Sequence, residues 1–292
     1  MNTETTTLDV GLHLNVPASV YHADPCATPS LSSGAARTIL AKSPAHVAME
    51  NVRLGGKSRT ATESMETGSL IHAILASDDS EIRIGLFDSY MTKAAKEWRD
   101  NTRHSGYIPV LSHDYENAMH VADIVRKRCV EGITNTPFCG YAANEVTAIW
   151  RDGDVLCRAR YDVLVRDGNG NADIWDWKST KDVSDRGIEK TIANYRYDIQ
   201  AAFYMRGLEA LGFKSQQISF IFVFFETVAP YTVRRVVLSQ EYLQQAKKEV
   251  SQAIALWQQC LATSSFPTMP PDTMTVEIPH YLSENDGDIE IS

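Results

Sequence analysis

No cysteine pair in this chain is spaced for a metal or redox motif. Cys26, Cys129, Cys139, Cys157 and Cys260 are odd in number and none forms C-x-x-C, so neither a zinc ribbon nor an iron–sulfur cluster is encoded by spacing, and reduced, buried thiols are expected. No GxGxxG or GxxxxGK[ST] string occurs, which removes dinucleotide and P-loop chemistry. No apolar run approaches the roughly 20 residues of a membrane span. The longest, 218–225, is interrupted by Ser219 and ends at Glu226, as a buried strand would. The opening MNTETTTLDV lacks the basic stretch and apolar run of a secretory signal, so a cytoplasmic protein is expected. No internal repeat is apparent.

Positive charge is also scarce. Against 37 acids there are 28 Lys and Arg, a net charge of -9, which argues superficially against a nucleic-acid partner because phosphate contacts come from basic side chains. Distribution changes that reading. Residues 272–292 carry Asp272, Glu277, Glu284, Asp286, Asp288 and Glu290 and no Lys or Arg, so the rest of the chain stands at only -3. Arg53, Lys57 and Arg59, with Lys93, Lys96, Arg99 and Arg103, are then enough for a local basic groove.

What is present is a 292-residue chain, 43% hydrophobic, long enough to bury a full core. One domain with extensions is expected: a short segment over 1–20, a core over 21–265 with a helical insertion at about 85–131, and an acidic, proline-containing tail over 266–292 that is extended or disordered. A capped helix is expected over 33–41, stopped by Ser43-Pro44 because the residue before proline avoids the helical region. A second covers 63–77, with Leu70, Ile71, Ile74 and Leu75 as its apolar stripe and Gly68 one turn before His72, where something can approach closely. Residues 91–131 read as helical, divided near Gly106-Tyr107-Ile108-Pro109. The period then changes to two over 145–150, 155–165 and 172–178, three strands joined by Asp152-Gly153-Asp154 and Asp167-Gly168-Asn169-Gly170. A long helix over 188–211 ends at Gly212, strands follow over 218–226 and 231–238, and a last helix spans 240–262. This order gives an α+β (mixed α/β) fold with a central mixed sheet of about five strands flanked by helices.

The chemistry gathers around Asp162 and the string Asp173-Ile174-Trp175-Asp176-Trp177-Lys178. The two aspartates end adjacent strands, so their carboxylates can converge on one cation, and Asp176 and Lys178, two apart, project to the same face. A buried carboxylate and ammonium need pairing or a metal, because burying charge is costly. A hard cation with oxygen ligands meets that need, and Lys178 can then orient or deprotonate the attacking water. D-x-K alone reads more readily as a solvated ion pair on an edge strand. Three further features favour the site: Glu145, an acid opening the preceding strand; His72 in an otherwise apolar helix; and Gln200 with Tyr204, an amide and a phenol at i and i+4.

The succession G-x-x-x-H, E, D, D-x-K, Q-x-x-x-Y over about 20–265 resembles the PD-(D/E)xK nuclease superfamily, in its RecB-like exonuclease branch. The closest likeness is to the exodeoxyribonuclease VIII group of phage-type recombination exonucleases, the RecE family. Leu31-Ser32-Ser33 through Lys42-Ser43-Pro44-Ala45-His46 also looks like that group's opening helix, and Lys93 to Trp98 like another of its segments. The resemblance implies a PD-(D/E)xK core and one or two Mg²⁺ ions, for which Mn²⁺ substitutes, held by His72, Asp162, Asp176 and the backbone carbonyl of Trp177. It implies that Lys178 positions the water, that Glu145 supports this metal or a second one, and that Gln200 and Tyr204 touch the DNA backbone near the scissile phosphate. By the same likeness Ser33, Arg37 and Ser43 would hold a 5′ phosphate, with Lys93, Lys96 and Arg99 on the DNA. The implied activity is hydrolysis of linear double-stranded DNA from its ends, 5′ to 3′, in recombination or repair. The implied partners are double-stranded DNA, further copies in a ring-shaped homo-oligomer and a single-strand annealing protein; no membrane is implied. An endonuclease or nickase on the same fold, and a DNA-binding module that has lost catalysis, stay open as alternatives. Asp176 stands where many relatives have Glu, one methylene longer.

Overall fold

The apolar run at 218–225 lies where a buried strand belongs, inside a sheet covered on both faces. The computed structural model of the chain describes residues 7–57, 63–78, 80–133, 136–271 and 275–277. In the first half the elements are β1 (Gly11–His13), α1 (Ala18–His22), β2 (Leu31–Ser32), α2 (Ser33–Ala41), α3 (Pro44–Glu50), α4 (Glu63–Leu75), β3 (Ile82–Gly85), α5 (Lys93–His104), β4 (Ile108–Leu111) and α6 (Ser112–Arg128). The second half holds β5 (Ala142–Asp152), β6 (Val155–Arg166), β7 (Ala172–Thr180), α7 (Asp185–Tyr195), α8 (Tyr197–Ala210), β8 (Ile218–Glu226), β9 (Val233–Val236) and α9 (Gln240–Thr263).

The main sheet runs β1-β5-β6-β7-β8-β9, with β2 added beside β6. It is mixed: β7 and β8 are parallel, as are β2 and β6, and the other pairs are antiparallel. Parallel neighbours are covered on both faces, which explains why β8 reads as a continuous apolar run. Its Phe220, Phe222 and Phe224 enter one core with α2, α8 and α9, while Val223 and Phe225 enter a second core with α4 and α6. Helices on both faces of a mixed sheet are the α+β arrangement expected from the sequence.

Several elements differ from expectation, each for a physical reason. The sheet has seven strands among the described residues, where about five were expected, because β1 and β2 are too short to show a period. β1 pairs with β5 through Gly11↔Ile149, so part of the 1–20 extension belongs to the sheet. The break expected near Pro109 is a strand: β4 lies parallel to β3 in a two-stranded sheet, where Pro109 opposite Arg83 is tolerated because neither strand is central. The helix expected over 188–211 is two, broken at Arg196, whose φ of 52° is left-handed. Gly212, at φ 96°, closes the second of them, with Phe213 N–H donating to the Leu208 carbonyl at 3.0 Å. The strand expected over 231–238 shortens to β9. Arg59 and most of the acidic tail, residues 272–274 and 278–292, lie outside the described residues. No helix among the described residues is long and apolar enough to cross a membrane.

α8 is pressed onto the sheet at Gly207, where an added Cβ would stand 2.9 Å from a Trp150 ring carbon and 2.9 Å from the Tyr161 hydroxyl. Gly207→Ala gains up to about 1 kcal/mol in helix propensity but costs about 1–3 kcal/mol in overpacking against two fully buried rings. A net destabilisation is expected, read as a lower urea midpoint. An unchanged or raised midpoint would show that α8 can lift without cost.

Candidate active site

β6 and β7 pair from Arg166↔Ala172 as far as Val163↔Trp175 and then part. Asp162 and Asp176 are the next residues in that register, so both acids stand at the opening of the fork; neither ends its strand, as the sequence reading had it. Glu145 is the residue of β5 opposite Asp162, inside its strand and not at the start, and its φ is 52°. Register on either side is unchanged, Asn144↔Val163 and Val146↔Tyr161, so no residue has been inserted. Side-chain alternation nevertheless changes phase there. In β6, Val155, Cys157, Ala159 and Tyr161 feed the α8 core and so does Leu164, whereas Val163 and Val165 feed the other. β5 does the same, with Val146, Ala148 and Trp150 on the core that Ala143 also touches. A left-handed glutamate costs roughly 1–3 kcal/mol and such strain concentrates at functional sites.

Into this fork reach side chains from both layers. From α4, His72 Nδ1 stands 3.5 Å from Asp162 Oδ2, with the Trp177 backbone close to the ring. The Trp177 N–H donates to the same Asp162 oxygen at 2.8 Å. From α8, the Gln200 amide donates to Asp176 Oδ1 at 2.7 Å. Lys178 forms an ion pair with Asp176 Oδ2, a buried oxygen. The ammonium also lies over the Tyr197 ring, 4.7 Å from its centroid. Glu145 pairs with Arg160, which donates also to the Val16 carbonyl at 2.7 Å. The close approach expected at Gly68 is made by Ser179, whose hydroxyl would lie 3.4 Å from an added Cβ.

The charges do not balance evenly. Glu145 has Arg160 and Asp176 has Lys178, but the ion-pair contact of Asp162 among the described residues is His72. Burial and then repulsion from Asp176 push the Asp162 carboxyl up to about 7, against Lys178 and the Trp177 N–H. Burial and Asp162 raise Glu145. Burial and the neighbouring Lys178 lower His72, which favours the neutral ring that ligates metals. Lys178 is pulled down by burial, but Asp176 and Asp162 outweigh this and it is raised overall, so it stays an ammonium.

Among the described residues no three His, Cys, Asp or Glu side chains close into a cage. The bonding explains it: Asp176 is turned to Lys178 and Gln200, and Asp162 to Trp177. The donor set still fits a hard divalent cation, with an imidazole, two carboxylates and a carbonyl around one fork and an excess of buried acid. His72, Asp162, Asp176 and the Trp177 carbonyl are the residues that would hold it.

Other expected site residues fall differently. Tyr204 is 6% exposed and packed between Tyr161 and Phe220. Ser33 is buried, and the Ser43 hydroxyl is bonded to His46 Nδ1 at 2.7 Å. Gln200 is buried and faces Asp176, not the surface. Arg37 is held by the Tyr195 carbonyl at 3.0 Å, near the Tyr197 ring. Arg53 is turned inward onto the carbonyls of Asp24, Cys26 and Ala27, so it is not available to the expected basic groove. Lys93 pairs with Glu97 at 3.7 Å and Arg99 with Asp100 at 2.9 Å, on a helix packed against β3 and β4. Lys96 lies exposed on that helix. Tyr197 and Arg160 were missed in the sequence; the first depends on the break at Arg196, and the second was visible only as the neighbour of Asp162.

Comparison with known proteins shows the family. The model of a family described as "PDDEXK-like domain of unknown function (DUF3799)" matches residues 37–273, and the chain belongs to that family. A crystal structure from Eubacterium rectale named "Putative exonuclease" is similar in fold, with a TM-score of 0.60 at 10% identity, covering 94% of this chain and all of that one. A phage related exonuclease from Haemophilus somnus 129PT is 11% identical over 81% of this chain and 97% of its own, with a TM-score of 0.30. No curated protein matches the chain.

Proposed function

We propose that this chain is a divalent-metal-dependent deoxyribonuclease that hydrolyses linear double-stranded DNA from its ends, 5′ to 3′, in phage-type recombination or repair. The observation that carries the reading is the fork itself: Asp162 and Asp176 at the point where two strands part, with Lys178 on one side and His72 on the other. A bound divalent ion supplies Lewis-acid charge to a phosphodiester and makes water a better nucleophile. The chain's own residues do the rest. Lys178, held as an ammonium between Asp176 and the Tyr197 ring, orients the attacking water and meets charge developing on the phosphate. Gln200 keeps Asp176 turned into the fork, and the Trp177 N–H does the same for Asp162. On this reading the partners are duplex DNA, further copies of the chain in a ring whose channel alone needs to be basic, and a single-strand annealing protein.

The test is digestion of linear duplexes labelled at the 5′ or the 3′ end, with and without a 5′ phosphate, beside a covalently closed circle, in Mg²⁺. Nucleotide release from the 5′ ends with the circle intact is the expected result. A cut circle would make the protein an endonuclease, and no cleavage in Mg²⁺ or Mn²⁺ would leave a DNA-binding module.

A further inference from the structure

We propose that Tyr195 is a stacking platform for an unpaired nucleobase next to the scissile phosphate, so that the strand enters the fork with its terminal pair opened. The inference rests on the nuclease reading and adds the form in which the strand is held.

Tyr195 ends α7 with 62% of its surface exposed, an unusual position for so large a ring. It stacks on Tyr197, with centroids 5.6 Å apart and planes 19° apart, and the face of Tyr197 receives the Lys178 ammonium at 4.7 Å. The outer ring therefore stands no more than about 10 Å from the ammonium, a span that one nucleotide bridges between phosphate and base. Tyr197 is itself seated on Phe222, at 5.9 Å.

The stack is also held rigidly. Arg196 between the two tyrosines is left-handed, an arrangement that persists in a non-glycine residue only when its surroundings fix it. They do: its guanidinium donates twice to Asp198, at 3.1 and 3.0 Å, and to Glu249 at 2.5 Å, while Arg37 donates to the Tyr195 carbonyl at 3.0 Å. A continuous helix would set residues 195 and 197 on different faces. The break sets their rings within 19° of parallel, the inner one beside Lys178 and the outer one exposed. A preordered aromatic face beside a phosphate-handling ammonium suits a base, and because every base has a π-face it implies no sequence preference.

The test uses the full chain in EDTA with single strands and duplexes carrying 2-aminopurine at the terminal position. Wild type, Tyr195→Phe and Tyr195→Trp are expected to quench the probe. Tyr195→Ala is expected to lose the quench and bind about tenfold more weakly, the usual cost of removing one base-stacking ring. In Mg²⁺ the same variant is expected to lose kcat/KM on paired ends and to regain most of it on ends frayed by mismatches. The proposal fails if Tyr195→Ala quenches and binds like wild type, or if wild type does not quench. Absence of hydrolysis by wild type would overturn the nuclease reading alone, because the quench is read without metal.

Discussion

Lys178→Met is expected to lower turnover on linear duplex DNA by about 10²–10⁴-fold, the range typical for loss of a positioned proton-handling group, with the fold kept. Methionine matches the length of the aliphatic stem and removes only the ammonium. Asp176 keeps its hydrogen bond from Gln200. The converse substitution is less informative: Asp176→Ala leaves an ammonium only 13% exposed without its partner, and breaking a buried pair in this way costs about 3–5 kcal/mol. Steady-state turnover measured beside a urea melt separates the two effects. Lys178→Met with wild-type turnover would remove Lys178 from the chemistry.

The second large effect is on metal and pH together. Asp162 titrates near 3.8 when unfolded and at about 7 in the fork, so the folded chain holds its proton more tightly than the unfolded chain. For a group raised in this way the stabilising contribution is fully present below about 3.8 and is lost as pH rises through about 7. Metal-free protein should therefore melt at progressively lower temperature across that window, with a cost at pH 8 of the order of a few kcal/mol. Asp162→Asn keeps an acceptor for the Trp177 N–H and removes the charge. Without metal it is expected to melt several degrees above wild type at pH 8 and close to it at pH 4, given roughly 2–4 °C per kcal/mol for a chain of this size. Added Mg²⁺ should raise the wild-type melting temperature, leave Asp162→Asn unmoved, and restore no activity to it. Calorimetry at the two pH values, with EDTA and with Mg²⁺, decides the matter; parallel curves for the two proteins would mean that Asp162 is not the acid carrying the excess charge.

Much of the fork was legible because it is written in period two. The three strands after residue 140, the turn signals between them and the D-x-K spacing are enough to put Asp176 and Lys178 on one face. The break between α7 and α8 was not legible, since arginine is no helix breaker. It takes the left-handed conformation because Asp198 and Glu249 hold its guanidinium, and Glu249 lies 53 positions away in the sequence. The kink at Glu145 was hidden for a similar reason: a left-handed turn inside a strand is usually written with Gly or Asn, and here a glutamate adopts it opposite Asp162. Spacing did not show how deeply Tyr204 lies. It stands one turn after Gln200, but α8 is buried nearly all round, and the phenol packs against Tyr161 and Phe220.

The phase change in β5 and β6 has a bearing on how this protein can vary. A strand that feeds one hydrophobic layer along its whole length leaves no position for an acid that must be approached from both layers. Here the two strands hand over from one layer to the other, and the acids collect along the seam. Each core can then drift in size and composition against its own helices without pushing on the seam. Changes that lengthen or shorten β5 on one side of Glu145 cannot be absorbed in that way, because they would move one acid out of line with the other two.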